Sequence, residues 1–535
     1  MELSFEKEAF RRAAIAWIRG QAPLLADTED YRFLEAAAWL FAIGSEIRVR
    51  RPDVEGWELK PADSLPILAG RLRRLGDNLS WLDLYRELCE ALLTVEMALD
   101  PKRDAVALDH PIALPPTLEG CSYPFGGSIQ FWLHPPSALA AERVRRYEEA
   151  GEVMDEEDSS RPPAPRWRIQ DHLLRLSVHW ERAASPRLVR PLSQGDRAQP
   201  LIERSGADAV RGGFRIALCP LSGGSHPLFK IDDGGRYFRA QGINGLEELN
   251  RSLDAVIQAA ESQDIHLVVL PELMVPSDAR DILAQRLLRR RRSRPYGVLA
   301  GSFHMPAGSD QSEGPRVNEA CLLDHRGRRV LRHQKQFGFR LRRREALPPF
   351  FPGGPPKSGT PPEIYEDIED GSELAILDTT LGRLAMLICF DALAADPDHG
   401  FEELIRRVRP DLLFVLSMST KTRPFEEVFK RMAEHWIGTA YVNAQCVCRP
   451  AKGSPDRSPL LACCDFALQE PGGAAPTRVL WRAGQATAEC LYYGGKSHPE
   501  QTGVEVHPTL GLILDLGAHL RAPSPERERK QQGPP

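Results

Sequence analysis

Between residues 214 and 516 the chain alternates short apolar runs with amphipathic segments, and that alternation leaves few folds open. FRIALCP (214–220), DIHLVVLPEL (264–273), LGRLAMLICFD (381–391) and DLLFVLSM (411–418) are apolar for too few residues to be helices, and they read as buried strands. Segments 246–262 and 425–439 space their apolar residues three and four apart, the helix period. Strand, helix and strand in this order predict an α/β or α+β layered domain. Three strand patterns hand over to an ionisable side chain: Glu272 behind Pro271, Lys335 at the end of RRVLRHQK, and Cys389 after LAMLI. Each alone has a plain explanation. Buried cysteine behaves as a small hydrophobe, and strand-end glutamates and lysines commonly pair.

The ordered set Glu272, Lys335, Cys389 resembles the catalytic triad of the nitrilase superfamily, the carbon–nitrogen hydrolases. LEELNRSLDAVIQAAESQDIHLVVLPEL (246–273) is similar to that family's first helix and second strand, and YGVLAGSF (296–303) to its third strand. VNEACLLDHRGRRVLRHQK (317–335) resembles the hairpin that carries its lysine, and ICFD (388–391) its nucleophile elbow. The resemblance implies a nitrilase-like α-β-β-α sandwich over 214–516. It makes Cys389 the nucleophile and Glu272 the base that later serves as acid. Lys335 and the backbone N–H of Phe390 would hold the oxyanion. A thiolate is needed, and the lysine ammonium is expected to lower the cysteine pKa. Family members often carry a second glutamate beyond the lysine, and Glu345, ahead of ALPPFFPGG, is the matching position. A Pro-Gly there is followed by an insertion, PPKSGTPPEIYEDIEDG, and 221–245 is a second insertion, a glycine-rich loop expected at the substrate mouth.

True nitrilases tend to follow the cysteine with Trp-Glu. Phe390-Asp391 is closer to the amidase and carbamoylase branches, so the implied substrate is a small amide or N-carbamoyl compound, cleaved through a thioester with release of ammonia or an amine. No cofactor and no metal is implied. The family's pairing mode implies a homo-oligomer through segments 401–408 and 425–439. Two other readings stay open: a regulatory or binding protein on the same scaffold, and an amide-transferring enzyme using the same thioester. A glutamine-dependent synthetase would need a nucleotide domain, and no GxxxxGK[ST] loop is present. Arg340 and Arg342 to Arg344 hint at an acidic substrate group, or at a solvated basic loop. His333 reads as a strand-flank histidine.

The remainder is a different kind of chain. Residues 1–150 read as a mainly helical domain, with amphipathic stripes near 9–18, 33–47 and 81–99 and a cap at 78–80. It carries no cluster of reactive side chains, which leaves a protein partner, or a lid, as its expected role. Segment 101–140 is proline-rich and reads as irregular; 151–213 reads as linker, with seven acids between Glu148 and Asp158, and 517–535 as a disordered tail. A net charge of −5 gives no reason to expect nucleic acid or a membrane surface. Ten cysteines without a C-x-x-C pair, no secretory leader and no long apolar run fit a cytoplasmic protein.

Overall fold

A computed structural model of the chain describes residues 2–27, 32–46, 59–99, 112–114, 127–133, 138–139, 176–181, 188–192, 199–211, 213–221, 224–290, 294–307, 316–342, 351, 362–394, 405, 408–420, 422–433, 437–447, 460–466, 477–482, 489–492, 495–496 and 504–516. Two compact units emerge: Met1–Pro135 with Arg143–Arg187 and Arg407–Arg409, and Leu188–Arg406 with Pro136–Glu142 and Pro410–Pro535.

In the first unit, helices Glu2–Gln21, Arg32–Glu46, Leu65–Arg73 and Trp81–Ala98 are followed by strands β1 (Ile112–Leu114), β2 (Gly127–Leu133) and β3 (Leu176–Glu181). The helical stripes meet in one core that includes Ile18, Phe41, Leu68, Leu88 and Leu92. Ser80 caps the last helix, its Oγ accepting the Asp83 N–H at 3.0 Å. The three strands form an antiparallel sheet in the order β1-β2-β3. Two of them lie in the proline-rich stretch expected to be irregular. Its prolines bracket GSIQFWL, a run whose aromatic and β-branched residues favour a strand.

Among the described residues the second unit holds twenty strands. They are β4 (Leu188–Leu192), β5 (Arg215–Leu218), β6 (His226–Ile231), β7 (Tyr237–Asn244), β8 (Leu267–Val269), β9 (Gly297–Pro306), β10 (Arg316–Asp324), β11 (Arg329–Gln334), β12 (Arg340–Arg342), β13 (Glu363–Glu366), β14 (Glu373–Asp378), β15 (Arg383–Ile388), β16 (Leu412–Ser417), β17 (Gly438–Asn443), β18 (Leu460–Phe466), β19 (Thr477–Arg482), β20 (Glu489–Tyr492), β21 (Gly495–Lys496), β22 (Val504–His507) and β23 (Gly511–Asp515). Helices Gln199–Arg211, Leu246–Ser262, Ser277–Arg289 and Arg423–Ala433 intervene. A seven-stranded sheet runs β11-β10-β9-β8-β5-β23-β22, and a nine-stranded sheet β21-β20-β19-β18-β17-β16-β15-β14-β4. The unit is therefore mixed α/β with several sheets. Strands β15, β16 and β17 are parallel neighbours, buried at every position, as the unbroken apolar runs RLAMLI and LLFVLS require. Helix Leu246–Ser262 buries Leu249, Leu253, Val256, Ile257 and Ala260, one stripe at helical spacing.

The connecting segment is more ordered than its polar composition suggests. Leu188–Leu192 pairs in parallel with β14 at the edge of the nine-stranded sheet, and Gln199–Arg211 is a helix that buries Leu201, Ser205 and Ala209. The helix expected over 425–439 is described as Arg423–Ala433, and Gly438 with β-branched Thr439 already opens β17.

The largest departure concerns the two insertions. Segment 221–245, expected as a glycine-rich loop, forms the β6–β7 hairpin, and β13 lies inside the second insertion. They pair with each other, β13 running parallel to β7, and with β12 they build a four-stranded sheet in the order β12-β13-β7-β6. Phe229, Phe238, Ala240 and Ile364 alternate onto its buried face. No helix among the described residues is long and apolar enough to cross a membrane.

Candidate active site

The ends of the three sheets bring one set of side chains together. Glu272 stands three residues beyond β8, Lys335 directly after β11, and Cys389 directly after β15. All three are at most 5 % exposed. The Lys335 Nζ donates to Glu272 Oε1 at 2.8 Å and to Glu366 Oε2, the last residue of β13, at 2.7 Å. Asn318 on β10 bridges the same carboxylates, its Nδ2 reaching Glu272 Oε1 at 3.2 Å and Glu366 Oε1 at 2.9 Å. The other oxygen of Glu272 accepts the Met418 N–H at 2.9 Å, and the neighbouring Ser417 Oγ lies 3.5 Å from the Cys389 sulfur. The end of β16 thus holds both the acid and the thiol.

Glu366 is saturated with donors. Beyond Lys335 and Asn318 it accepts the Phe339 N–H at 2.8 Å and His304 Nε2 at 2.9 Å. His304 Nδ1 accepts the Ala240 N–H at 2.9 Å, which fixes the Nε2–H tautomer and ties β7 to β9 beside the site.

The backbone is bent where the chemistry-bearing residues stand. Leu273, just past Glu272, has φ +55°, and Cys389 itself φ +46°. Such left-handed residues cost about 1–3 kcal/mol each and persist only where surrounding bonds over-determine them. At the cysteine, Asp391 supplies those bonds. Its Oδ1 accepts the N–H of Gln336 at 2.9 Å and of Phe337 at 3.0 Å; its Oδ2 meets the Ile388 N–H at 3.3 Å and His333 Nε2 at 3.2 Å. One buried carboxylate therefore locks the cysteine turn to the segment that carries Lys335. At the glutamate, Gly301 permits the close approach of β9: a Cβ there would sit 2.4 Å from the Pro271 carbonyl oxygen, and its φ is +69°. Arg280, buried behind this turn, donates from Nε to the Val275 carbonyl at 3.1 Å.

Burial dominates the electrostatics. It raises the pKa of Glu272, Lys335 pulls it back, and Glu366 adds to the rise. Burial pushes Glu366 the same way, but there Lys335 and His304 outweigh it and hold the carboxyl below its ordinary range. Burial alone would lower Lys335; Glu272 and Glu366 carry it well above its ordinary value. The thiol departs from the sequence expectation. Lys335 does lower the Cys389 pKa, but burial and then Glu272 raise it further than the ammonium can offset. The resting group is a thiol, so its proton leaves during attack on a substrate.

These side chains form the base of a cavity of about 290 Å³, walled by Phe229, Phe238, Phe339, Phe351 and Leu341, with Arg340 and Arg342 among its lining. Phe390 is the second residue of the short 3-10 helix Cys389–Ala392, and its N–H has no acceptor among the described residues. No group of three or more His, Cys, Asp or Glu side chains that could hold a metal occurs among the described residues.

Of the residues singled out in the sequence, Glu272, Lys335, Cys389 and Phe390 meet here. Glu345 lies outside the described residues. The second carboxylate on the ammonium is Glu366, which the sequence reading passed over. Its signal was available: EIYE alternates, and period two puts Glu366 on the same buried face as Ile364. Asn318, His304, Asp391 and Ser417 were missed as well, because pairing across sheets leaves no mark on local spacing. His333, read as a strand-flank residue, is a buried partner of Asp391.

No family model matches the sequence, and no curated protein matches it. Solved structures do. Nit3 of Saccharomyces cerevisiae, a member of branch 10 of the nitrilase superfamily, is 14 % identical over 61 % of this chain and 96 % of its own, with a TM-score of 0.35. An amidase from Nesterenkonia sp. is 20 % identical over 60 % of this chain and 98 % of its own, with a TM-score of 0.31. A mutant of that amidase in complex with butyramide is 19 % identical over 60 % and 98 %, with a TM-score of 0.30. At such values the likeness carries no chemistry to this chain, and the reading of the site rests on its geometry. Nit3 and the Nesterenkonia amidase are nitrilase-superfamily members, and that is the family the sequence of this chain resembles.

Proposed function

We propose that the chain is a carbon–nitrogen hydrolase that cleaves a non-peptide amide or N-carbamoyl bond through a thioester on Cys389. The observation that carries this reading is Lys335 clamped between Glu272 and Glu366 beside the Cys389 thiol, at the base of a mostly apolar cavity. The sulfur attacks the substrate carbonyl carbon while its proton passes to Glu272, whose raised pKa makes it a better base than an ordinary carboxylate. Two of the three Nζ–H bonds of Lys335 are spent on the glutamates. The third, with the Phe390 N–H, meets the oxygen as it gains charge. Glu272 then protonates the departing nitrogen as the C–N bond breaks, and ammonia or an amine leaves. Water gives a proton to Glu272 and attacks the thioester; the C–S bond breaks and the proton returns to sulfur. Glu366 stays ionised throughout and balances the ammonium, so that Glu272 is not pinned in its anionic form. The supply of the reacting groups from different sheets supports the finer reading of an α-β-β-α sandwich.

Ammonia release should be screened against amides, nitriles and N-carbamoyl compounds. Mass spectrometry of a Glu272→Gln variant after acid quench should find an acyl adduct on Cys389, because deacylation loses its base. An adduct on Cys219, Cys321 or Cys446 would mean the nucleophile is misassigned, and ammonia from nitriles alone would reject the amide reading.

A further inference from the structure

We propose that the sheet built from the two insertions is a selectivity filter, and that the substrate is an amide whose acyl part has a compact apolar body ending in an anionic group. This rests on the hydrolase reading above. The base of the cavity has no donor left for a second anion: two Lys335 N–H bonds go to Glu272 and Glu366, and the third is the one the reacting oxygen needs. The walls suit an apolar body. Phe229 and Phe351 stack at 5.3 Å between centroids, and Phe238 meets Phe229 edge-on at 5.6 Å; Phe229 belongs to β6 and Phe238 to β7. A cavity of about 290 Å³ takes one ring or a branched chain of similar bulk.

At the exposed end, β12 carries Arg340 and Arg342 with Leu341 between them, and all three line the cavity. Arg340 is engaged with Glu363 at 3.3 Å. Arg342 has no ion-pair or hydrogen-bond partner among the described residues, and it is exposed. An unpaired guanidinium edging an apolar cavity presents a planar fork to a carboxylate or a similar anion. Charge buried at the base, rings in the walls and a cation at the rim together describe an amphiphilic acyl group that enters amide first.

Four substrates test this on the full chain: acetamide, 3-phenylpropionamide, and its para-carboxy and para-aminomethyl derivatives. The carboxylate should exceed the unsubstituted ring in kcat/KM by about fivefold or more, and the ammonium compound should fall below both. Added salt should erode that order. Arg342→Gln should abolish the carboxylate-to-ammonium ratio and Arg342→Lys should keep part of it, while Phe229→Ala should lower the ratio of ring-bearing amides to acetamide. Equal turnover of the charged and neutral rings, or a preference for acetamide, overturns the inference and leaves the hydrolase reading standing. No turnover of any amide and no acylation of Cys389 overturns both.

Discussion

The two units bury different things. Among the described residues, the core of the N-terminal unit is aliphatic and aromatic, and its few buried polar groups tie loops to helices. Glu90 accepts the Lys60 N–H at 3.0 Å, and Thr94 Oγ1 accepts the Ala62 N–H at 2.9 Å. The second unit buries Glu272, Lys335 and Glu366 in the lining of one cavity, with Asp391, His304 and His333 bonded to the segments that carry them. Burying charge costs more than packing hydrocarbon, even when the charges are paired. That cost is concentrated in one place, beside two left-handed turns, which supports the chemistry proposed for it. The helical core has no such concentration, which is why partner recognition, or cover for the hydrolase mouth, remains our proposal for that unit.

The sharpest way to break this contrast is to remove the thiol. Cys389→Ala should lower kcat by at least about 10⁴-fold, since the nucleophile and its partners act as a unit. Stability should change by no more than about 1–2 kcal/mol, because little volume is lost. Activity within tenfold of wild type, measured by ammonia release, would mean that the buried charges serve structure alone.

Asp391→Asn comes next. The carboxylate accepts four donors; an amide must turn an NH₂ toward either the two loop N–H groups or Ile388 and His333, and two donors then face each other. A loss of about 1–3 kcal/mol of stability is expected. The strained Cys389 turn should relax with it, and turnover should fall about a hundredfold. Denaturant melts and kcat on the same preparation decide the matter: loss of stability with full activity would show that the turn does not depend on Asp391.

Glu366→Gln should cost less and move a pH profile. In the wild type burial raises Glu272 and Glu366 adds to the rise, so the acid limb of kcat/KM should lie above the ordinary carboxylate value of 4.5. Removing that anion leaves the full pull of Lys335 on Glu272; its pKa falls and the limb moves to lower pH, with a slower plateau from the weaker base. Stability has its own sign. The Glu366 pKa is depressed, so its contribution is fully present above 4.5 and is lost progressively as pH falls from there through its lower folded-state value; the variant should lose less stability on acidification. An unmoved acid limb would separate Glu366 from the proton chemistry.

How much of this was legible differs between the regions in the same way. Glu272, Lys335 and Cys389 stand at strand ends that hydrophobic runs announce, so their order along the chain carried the reading. The N-terminal helices were equally plain, down to the Ser80 cap. What sequence concealed was pairing at a distance. Gly-rich 221–245 reads as a loop until Phe229 and Phe238 find the buried face that β13 completes, and the polar 193–213 hides a helix whose stripe is only Leu201, Ser205 and Ala209. Both depend on a partner elsewhere in the chain, which no local period reports.

The smallest effect belongs to the helical unit, and it sharpens the contrast most cleanly. The Ser80 side chain satisfies the Asp83 N–H, one of the four donors that a helix start leaves open, and its hydroxyl also reaches Asp83 Oδ2 at 2.6 Å. Ser80→Ala removes that acceptor and should cost about 1 kcal/mol. If the two units unfold separately, calorimetry should resolve two transitions and the substitution should lower only one of them. Ammonia release by the folded protein should keep its kcat and KM, because the change touches a cap and no reacting group. A shift of both transitions would mean that the units melt together. An altered KM with unchanged kcat would favour the lid over the separate recognition module, since a helix start would then bear on how substrate enters.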